Sequence, residues 1–388
     1  MTTRRIYFVW VAVLCVFIVK PLCRSSNKIN TTDYVIRLNW HNSLPDQKPE
    51  HVYRGIIWCF SWLGAELPKG CMKDAIVTTD SMHLEVHLDK LGFNKDALQA
   101  LLVIADSIRN SEEYKAHGEL ELGKFIALTL GTSEHYYRIT GAPRTIDEFR
   151  KLHGIDQTAW NFGVTKSSIS DGHRLVRFSR DTSLFKVGFI AEESKDSITG
   201  KNFHAELFEC FDIMPNGQLR FAIYDESGNL ISGAPRSLTE GGKPAKCLWC
   251  HETSIQTLFI ENNAVAGMLT NEEFLSIRDA MQDRLVRYRA TLNTEMNFNN
   301  HPEHTLGELL YIFYMEPTLL YVQNSWNLSE SQTLARLGNV HAEPFREFSW
   351  IGNVFRRAAI DSISGKDLLE IPFDVRETGR EVNYFKGK

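Results

Sequence analysis

The sequence predicts an α+β protein, and three observations carry this prediction. Helical patterns with capping residues occupy the N-terminal part of the chain, short runs rich in aromatic and β-branched residues follow, and helical patterns then return. A length of 388 residues exceeds what one small core needs, so we expect two or three packed units. The composition, 43% hydrophobic and 23% charged, is that of an ordinary globular protein.

The first 25 residues are typical of an export signal. Arg4 and Arg5 precede an unbroken apolar run of 14 residues, Ile6 to Val19, and the chain then turns polar. This run is shorter than the roughly 20 residues that span a bilayer. We therefore interpret residues 1–25 as a signal peptide, with a retained N-terminal membrane anchor as the alternative. Either reading places the body outside the cytoplasm, in the periplasm or at the outer face of a membrane.

The charge excludes a nucleic-acid partner. The chain carries a net charge of −5, and residues 1–25 hold four basic and no acidic residues, so the remainder carries −9. Proteins that bind phosphate backbones need a basic face, which an acidic body with scattered positive charge does not provide.

A mostly helical region is predicted over residues 26–160, beginning with a polar, turn-rich linker over residues 26–50. Its helix signals are an N-cap at Asn94, a buried run from Gly123 to Leu130 closed by Gly131, and a capping box of Thr145 with Glu148.

An antiparallel β meander is predicted over residues 161–240. Its candidate strands are Phe185–Ala191, Ala205–Ile213 and Gln218–Asp225, joined by turns rich in glycine and asparagine. In the last run Leu219, Phe221 and Ile223 alternate with less apolar residues, which is the period of a half-buried strand.

A haem-attachment loop and a helical region are predicted over residues 241–388. A loop rich in glycine and proline, 233–246, leads to the motif described next. Three capping boxes then predict helix starts: Thr270 with Glu273, Thr305 with Glu308, and Ser329 with Gln332. The second of these helices must end before Pro317.

The chemistry-bearing motif is Cys247-Leu248-Trp249-Cys250-His251, a Cys-x-x-Cys-His sequence that is typical of c-type haem attachment. Thiols three residues apart lie on one side of a helical turn, where both can reach the two vinyl groups of a porphyrin. The histidine that follows then presents its imidazole to the iron as the proximal ligand. Leu248 and Trp249 are expected to cover the porphyrin edge.

Through Cys247, Cys250 and His251 the chain resembles the c-type cytochromes. The resemblance covers about 45 residues, 241–285, and implies one covalent haem c, a histidine ligand and one-electron transfer to a redox partner protein. Met268, just before a predicted helix, is similar to the methionine ligand of small class I cytochromes. Only 16 residues separate His251 from Met268, too few for the intervening helices of class I, so the class I fold is not expected.

The sixth iron ligand stays open at this point. Met268 is the nearest sulfur, although an apolar residue at a helix entry is the commoner role of such a methionine. An iron with no protein sixth ligand would favour ligand binding or peroxide chemistry. Other candidates, each with an ordinary core or loop role as its alternative, are Met296, Met315, His135, His301 and His304.

Other interpretations of the cysteines also stay open. Cys247 and Cys250 are alternatively a structural or redox pair, or half of a zinc site that lacks its second pair of ligands. Cys59 and Cys71 are candidates for a disulfide, with Cys210 left over.

The leading hypothesis is an exported monohaem protein for one-electron transfer. The alternatives are a haem-dependent, peroxidase-like enzyme or sensor with an open iron site, and a non-catalytic exported binding protein.

Overall fold

The computed structural model describes residues 34–80, 82–164, 166–167, 173–181, 183–198, 203–239, 241–261, 265–365, 370–371 and 381–387. It is a mixed arrangement of helices and mainly antiparallel sheets, which confirms the α+β prediction at that level. The signal or anchor predicted over residues 1–25 lies outside the described residues. Of the helices that are described, none is both long and apolar enough to cross a membrane.

The region predicted to be mostly helical also contains a four-stranded sheet, paired in the order β2-β3-β1-β4. The prediction of a linker over residues 26–50 is therefore wrong for the strand β1, Val35–Asn39. Only Ile36 and Leu38 of that strand point into the core, which is too few repeats for a visible alternation. In chain order the elements are β1 (Val35–Asn39), α1 (Pro49–Trp62), α2 (Met72–Ala75), β2 (Ile76–Thr78), β3 (His83–His87), α3 (Lys95–Arg109), α4 (Glu112–His117), β4 (Leu120–Glu121), α5 (Leu122–Ile126), α6 (Ser133–Thr140) and α7 (Ile146–His153).

The helix starts predicted in this region are confirmed where a side chain caps them. The Asn94 side chain accepts a hydrogen bond from the Ala97 amide at 2.9 Å, at the start of α3. The Thr145 hydroxyl accepts one from the Glu148 amide at 3.2 Å, at the start of α7. The buried run that begins at Gly123 is not one regular helix, because α5 gives way to a π-helical turn over Ala127–Gly131.

A five-stranded antiparallel sheet follows. Its strands are paired in the order β10-β9-β8-β7-β5. The predicted meander corresponds to β8, β9 and β10, while β5 and β7 were not predicted. The first predicted run also began too early, since Leu184–Lys186 is a 3-10 turn. The bounds are β5 (Trp160–Val164), β7 (His173–Phe178), β8 (Gly188–Ser194), β9 (Leu207–Ile213) and β10 (Leu219–Asp225), with a short separate strand, β6 (Lys166–Ser167), between the first two.

The strand register places four phenylalanines side by side on one face of this sheet. Phe178 pairs with Phe189, Phe189 with Phe211, and Phe211 with Phe221, so that one row crosses four strands. We call the sheet surface that this row defines the aromatic face. On the opposite face His153 of α7 lies against the sheet, with Nε2 2.9 Å from Asp212 Oδ2.

The C-terminal part is helical, as predicted, with two short strand pairs. The capping boxes at Thr270 and Ser329 are confirmed, but the one at Thr305 is wrong: α10 begins at His304, two residues before the start that an N-cap at Thr305 predicts, and has no side-chain cap. α10 ends before Pro317, as predicted. The elements are α8 (Pro244–His251), β11 (Phe259–Glu261, paired with β6), α9 (Asn271–Arg289), α10 (His304–Met315), α11 (Leu319–Trp326), α12 (Glu330–Leu337), β12 (Glu343–Pro344), β13 (Asn353–Val354) and α13 (Arg357–Ser364).

Helices α1 and α10 cross at very short range inside the main hydrophobic core. A Cβ atom on Gly307 would lie 2.9 Å from the Trp62 ring and 3.1 Å from the Gly55 carbonyl oxygen, so this crossing requires glycine. The Cys59 thiol donates to the Gly307 carbonyl at 3.6 Å. Cys59 and Cys71 are both free thiols, so the candidate disulfide does not form.

Candidate functional site

The Cys-x-x-Cys-His motif lies on the last turns of α8, rather than in the loop that leads to it. Pro244 stands at the first helical position, and the helix ends at Glu252, whose left-handed backbone (φ 46°) turns the chain away. Residues three and four apart share one helix surface. Cys247, Cys250 and His251 therefore project together, as the motif spacing predicts.

The two residues between the cysteines anchor α8 in the protein core. Leu248 and Trp249 are buried, and the Trp249 ring packs on Tyr311 with centroids 5.5 Å apart. Neither is among the described residues that line the cavity beside the motif. Their helix positions face away from the cysteines, so both side chains lie in the core rather than at the cavity.

A cavity of about 330 Å³ lies between the aromatic face and α8, and all three motif side chains line it. This volume falls in the range of roughly 300–1,000 Å³ that is usual for small-molecule and cofactor sites. The segment 255–259 and α9 close the remaining sides. The apolar lining includes Phe189, Phe211 and Phe221 from the sheet, Ile255 and Phe259 from the segment, and Phe274 from α9.

The aromatic face forms a continuous apolar wall of the cavity. Phe189 stacks on Phe211 at 4.8 Å between ring centroids, and Phe211 lies 5.7 Å from Phe221. The His251 ring lies 5.3 Å from Phe211 and 5.1 Å from Phe221. The imidazole of the motif therefore sits against aromatic carbon rather than water.

This environment keeps His251 neutral. Burial lowers the pKa of His251 to about 4, although the Ser254 backbone partly opposes the shift. Within the described part of the chain, the buried Nδ1 atom has no hydrogen bond of normal geometry. A neutral imidazole is the form that binds iron and other transition metals, so His251 is ready to act as a ligand at neutral pH.

The two motif cysteines are free thiols and half-buried. Burial raises the pKa of Cys247 well above its usual value, and the nearby Glu209 carboxylate adds to the increase. Such a thiol stays protonated at neutral pH, unlike the low-pKa cysteines of redox enzymes. The environment of Cys247 therefore does not favour the interpretation of the pair as a redox site.

Charged groups also line the cavity, and Arg174 and Glu209 project from the same face of the sheet as the phenylalanines. Arg174 contacts Glu193 and lies 3.2 Å from Glu209 Oε2. Burial alone would lower the pKa of Arg174, but these two carboxylates more than offset it and the pKa is raised. Lys246 lies 2.9 Å from Glu347 and Arg278 lies 3.0 Å from Asp279, in ion pairs that are partly exposed.

Met268, the sequence candidate for a sixth iron ligand, lies on the face of the sheet opposite to the cavity. Its sulfur would be 3.3 Å from a Cβ atom placed on Gly163. Gly163 pairs with Leu175, next to the Phe162–Val176 pair, so its Cβ direction is opposite to that of the cavity-lining Val176. Met296 and Met315 are buried in the main hydrophobic core. None of the three is among the described cavity-lining residues.

The other candidate histidines are also engaged elsewhere. His135 Nδ1 donates to the Leu128 carbonyl at 2.5 Å, and Nε2 accepts from the Tyr384 amide at 3.0 Å, so it is a satisfied core histidine. His304 is buried at the start of α10, edge-on to Trp58, with Nε2 3.8 Å from Glu252 Oε1. The side chain of His301 lies outside the described residues.

The buried position of His135 predicts an acid-sensitive contribution to stability. Burial lowers its pKa from 6.5 to about 4. Below pH 6.5 the unfolded chain gains a proton that the folded protein does not, so the stability present at pH 7 is lost as the pH falls toward 4. We expect a loss of about 2.5 kcal/mol in the free energy of unfolding between pH 7 and pH 4.5 from this group.

This loss can be measured by urea denaturation at the two pH values for the wild type and a His135→Gln variant. The variant keeps a polar side chain but has no titrating group. We expect the wild type to lose more stability than the variant by the stated amount. Equal losses in both proteins would contradict the pKa shift.

The distances between His, Cys, Asp and Glu side chains decide whether a metal site of the zinc type can form. Among the described residues, no three His, Cys, Asp or Glu side chains lie close enough together to hold a metal ion. The zinc alternative therefore finds no third ligand in that part of the chain.

Comparison with protein-family models, with curated proteins and with solved structures finds no match to this chain.

Several cavity residues were not predicted from sequence. Glu209 and the phenylalanines of β8 and β9 belong to runs that the sequence predicts only as strands, and Arg174 lies in none of the predicted strands. The alternation recognised at Phe221 and Ile223 was the available signal. It indicated one apolar face, but the partner of that face depends on how the sheet packs against α8.

Proposed function

We propose that this chain is an exported monohaem c-type protein that holds one haem through thioether bonds to Cys247 and Cys250. His251 is then the proximal iron ligand. The observation that carries the proposal is that these three side chains open into one mainly apolar cavity beside the aromatic face. A cysteine pair with a purely structural role would not need such a cavity at its side.

The lining suits both parts of a haem. Phe189, Phe211 and Phe221 offer a flat aromatic surface, which suits an apolar macrocycle. Lys246 and Arg278 line the same cavity in partly exposed ion pairs, and a guanidinium or ammonium group can exchange such a partner for a haem carboxylate. The neutral His251 imidazole supplies the nitrogen ligand.

The chemistry that a bound haem supplies is one-electron oxidation and reduction of its iron. In this proposal the chain binds the group, excludes water from it through the aromatic wall, and exchanges electrons with a redox partner protein. The N-terminal segment 1–25 directs the protein out of the cytoplasm, or anchors it at the outer face of a membrane, where thioether attachment prevents loss of the haem.

A haem-dependent enzyme or sensor is the second candidate. It is favoured by the positions of Met268, Met296 and Met315, none of which is among the described residues of the cavity wall. The third interpretation, an exported binding protein with a structural cysteine pair, predicts a protein without haem absorption.

The proposal is tested by expressing the full chain in cells that mature c-type haem and recording a pyridine haemochrome spectrum. We expect a c-type band equivalent to one haem per chain that stays with the protein through acid–acetone extraction. A colourless protein recovered folded from such cells, beside a control cytochrome that is loaded, would overturn the proposal.

A further inference from the structure

Glu209 is a shielded carboxyl group of the cavity wall that takes no part in the proposed attachment of haem. On β9 it lies in one cross-strand row between Ala191 of β8 and Ile223 of β10, next to the row of phenylalanines. All three of these residues line the cavity, and the Glu209 side chain is only 13% exposed. A carboxylate between two apolar side chains is poorly solvated, so its ionisation responds strongly to nearby charge.

The Glu209 carboxylate shares one buried arginine with a second acid. Arg174 of β7 lies 3.2 Å from Glu209 Oε2, but it also contacts the buried Glu193 of β8. One guanidinium therefore faces two carboxylates. Burial raises the pKa of Glu209, although Arg174 and a hydrogen bond from the Thr239 hydroxyl oppose the increase. Glu209 thus gains a proton more readily than an exposed glutamate does.

The helix that carries the motif lies next to this carboxyl group. Cys247 of α8 is close enough that the charge of Glu209 raises the pKa of its thiol. His251, the proposed iron ligand, lies one helical turn further along α8. A thioether bond at Cys247 would therefore place the attached group, with its iron, at the side of Glu209.

The other titratable groups around Glu209 are neutral, permanently charged or more exposed. Cys210, the next residue on β9, points to the opposite face of the sheet, and burial raises the pKa of its thiol well above the usual value. His251 is neutral, and thioether formation would remove the protons of both motif thiols. The remaining charged residues that line the cavity in the described part of the chain are Arg174, Lys246, Arg278 and Glu347. Of the two acids in this lining, Glu209 is the one better shielded from water, since the Glu347 side chain is 32% exposed beside Lys246.

Reduction of a bound iron removes one unit of positive charge, and a poorly solvated carboxylate at its side then binds a proton more tightly. We propose, on the basis of the proposed function, that Glu209 is a redox-linked proton site of this protein. The electron comes from the redox partner protein and goes to the iron, while one proton comes from solvent and goes to a carboxyl oxygen of Glu209. When the electron leaves, Glu209 returns the proton to solvent.

Such coupling makes the reduction potential depend on pH. Because Glu209 has a higher pKa beside reduced iron than beside oxidised iron, proton uptake on reduction occurs between these two pKa values. Within this pH window each unit of pH increase favours the oxidised form by up to about tenfold, or about 59 mV. Below the window Glu209 is protonated in both states, and above it Glu209 is ionised in both, so this group leaves the potential constant there.

The test is a potentiometric titration of the full, haem-matured chain from about pH 5 to about pH 9. We expect the wild type to show the window and a Glu209→Gln variant to lose it. At the alkaline end the variant should have the higher potential, because ionised Glu209 stabilises oxidised iron in the wild type. Proton uptake on reduction, measured with a pH indicator, should fall in the variant from as much as one proton per electron to a small remainder.

The matched control is Glu206→Gln. Glu206 is partly exposed, lies 3.8 Å from Lys195, and is not one of the described residues that line the cavity. This variant should keep the wild-type window and the wild-type proton uptake.

A Thr239→Val variant tests the same site while keeping the carboxyl group. Loss of the hydroxyl that stabilises ionised Glu209 should move the window to higher pH, whereas titration of a haem carboxylate would leave it in place. A window that stays unchanged in either Glu209→Gln or Thr239→Val, or a wild-type potential that does not depend on pH, would overturn the inference and leave covalent haem binding intact. Absence of a Soret band would overturn the proposed function together with this inference.

Discussion

A Cys247→Ala, Cys250→Ala double variant is expected to contain no covalently bound haem, whereas the wild type carries one per chain. Both thiols line the cavity and both are free, so each is available to form a thioether bond. Without them His251 alone would hold the group, and a single axial bond does not survive acid–acetone extraction. The measurement is haem retained in the protein fraction after extraction, read by pyridine haemochrome spectroscopy.

The matched control for this experiment is Cys71→Ala. Cys71 is also a half-buried free thiol, but it lies at the start of α2 and is not one of the described residues lining the cavity. We expect this variant to retain one haem per chain. Circular dichroism of all three proteins checks that the folds are equal. Covalent haem in the double variant would show that attachment does not use this motif.

A Glu381→Gln variant is expected to lose about 3–5 kcal/mol of stability, because the buried Lys243 ammonium group loses its carboxylate partner and keeps only neutral acceptors such as the Gly131 carbonyl, 3.4 Å away. Lys243 immediately precedes α8 and is completely buried, with Nζ 2.9 Å from Glu381 Oε1. The other oxygen of Glu381 accepts a hydrogen bond from the Ser133 amide at 3.0 Å. The C-terminal segment is thereby joined to both α6 and the helix that carries the motif.

Chemical denaturation of the full chain measures this loss, and two further variants define its cause. Glu343→Gln removes one partner of an exposed pair with Arg356, at 3.7 Å, and should change stability by less than about 1 kcal/mol. A Lys243→Leu, Glu381→Leu double variant should recover much of the stability, since apolar replacement of both partners removes the buried charge. A Glu381→Gln protein as stable as Glu343→Gln would contradict a buried, paired Lys243.

Short-range contacts set most of the helix starts, whereas tertiary packing sets the exception. Asn94, Thr145, Thr270 and Ser329 were recognised as caps because each bonds a backbone amide within three residues. The box at Thr305 fails although its residue types are right. Its helix is packed by Gly307 against α1, and tertiary contacts decide where it begins.

The sheet shows the same division. The runs at β8, β9 and β10 are long and rich in apolar residues. Either their two-residue alternation or their composition therefore indicates a strand. β1 and β5 are five residues long and were missed. Met268 was a reasonable ligand candidate by distance along the chain. Its place behind the sheet follows from the register of β5 with β7, which no local pattern encodes.

The sequence by itself determined the α+β class, most helix starts, and the common projection of Cys247, Cys250 and His251, since these depend on residues within one or two helical turns. Only the tertiary structure decided what those side chains face. The aromatic face takes one residue from each of four strands spread over residues 178–221, and α8 contacts it because Leu248 and Trp249 are buried on its other side. Such contacts join distant residues through packing, which a local sequence pattern cannot specify.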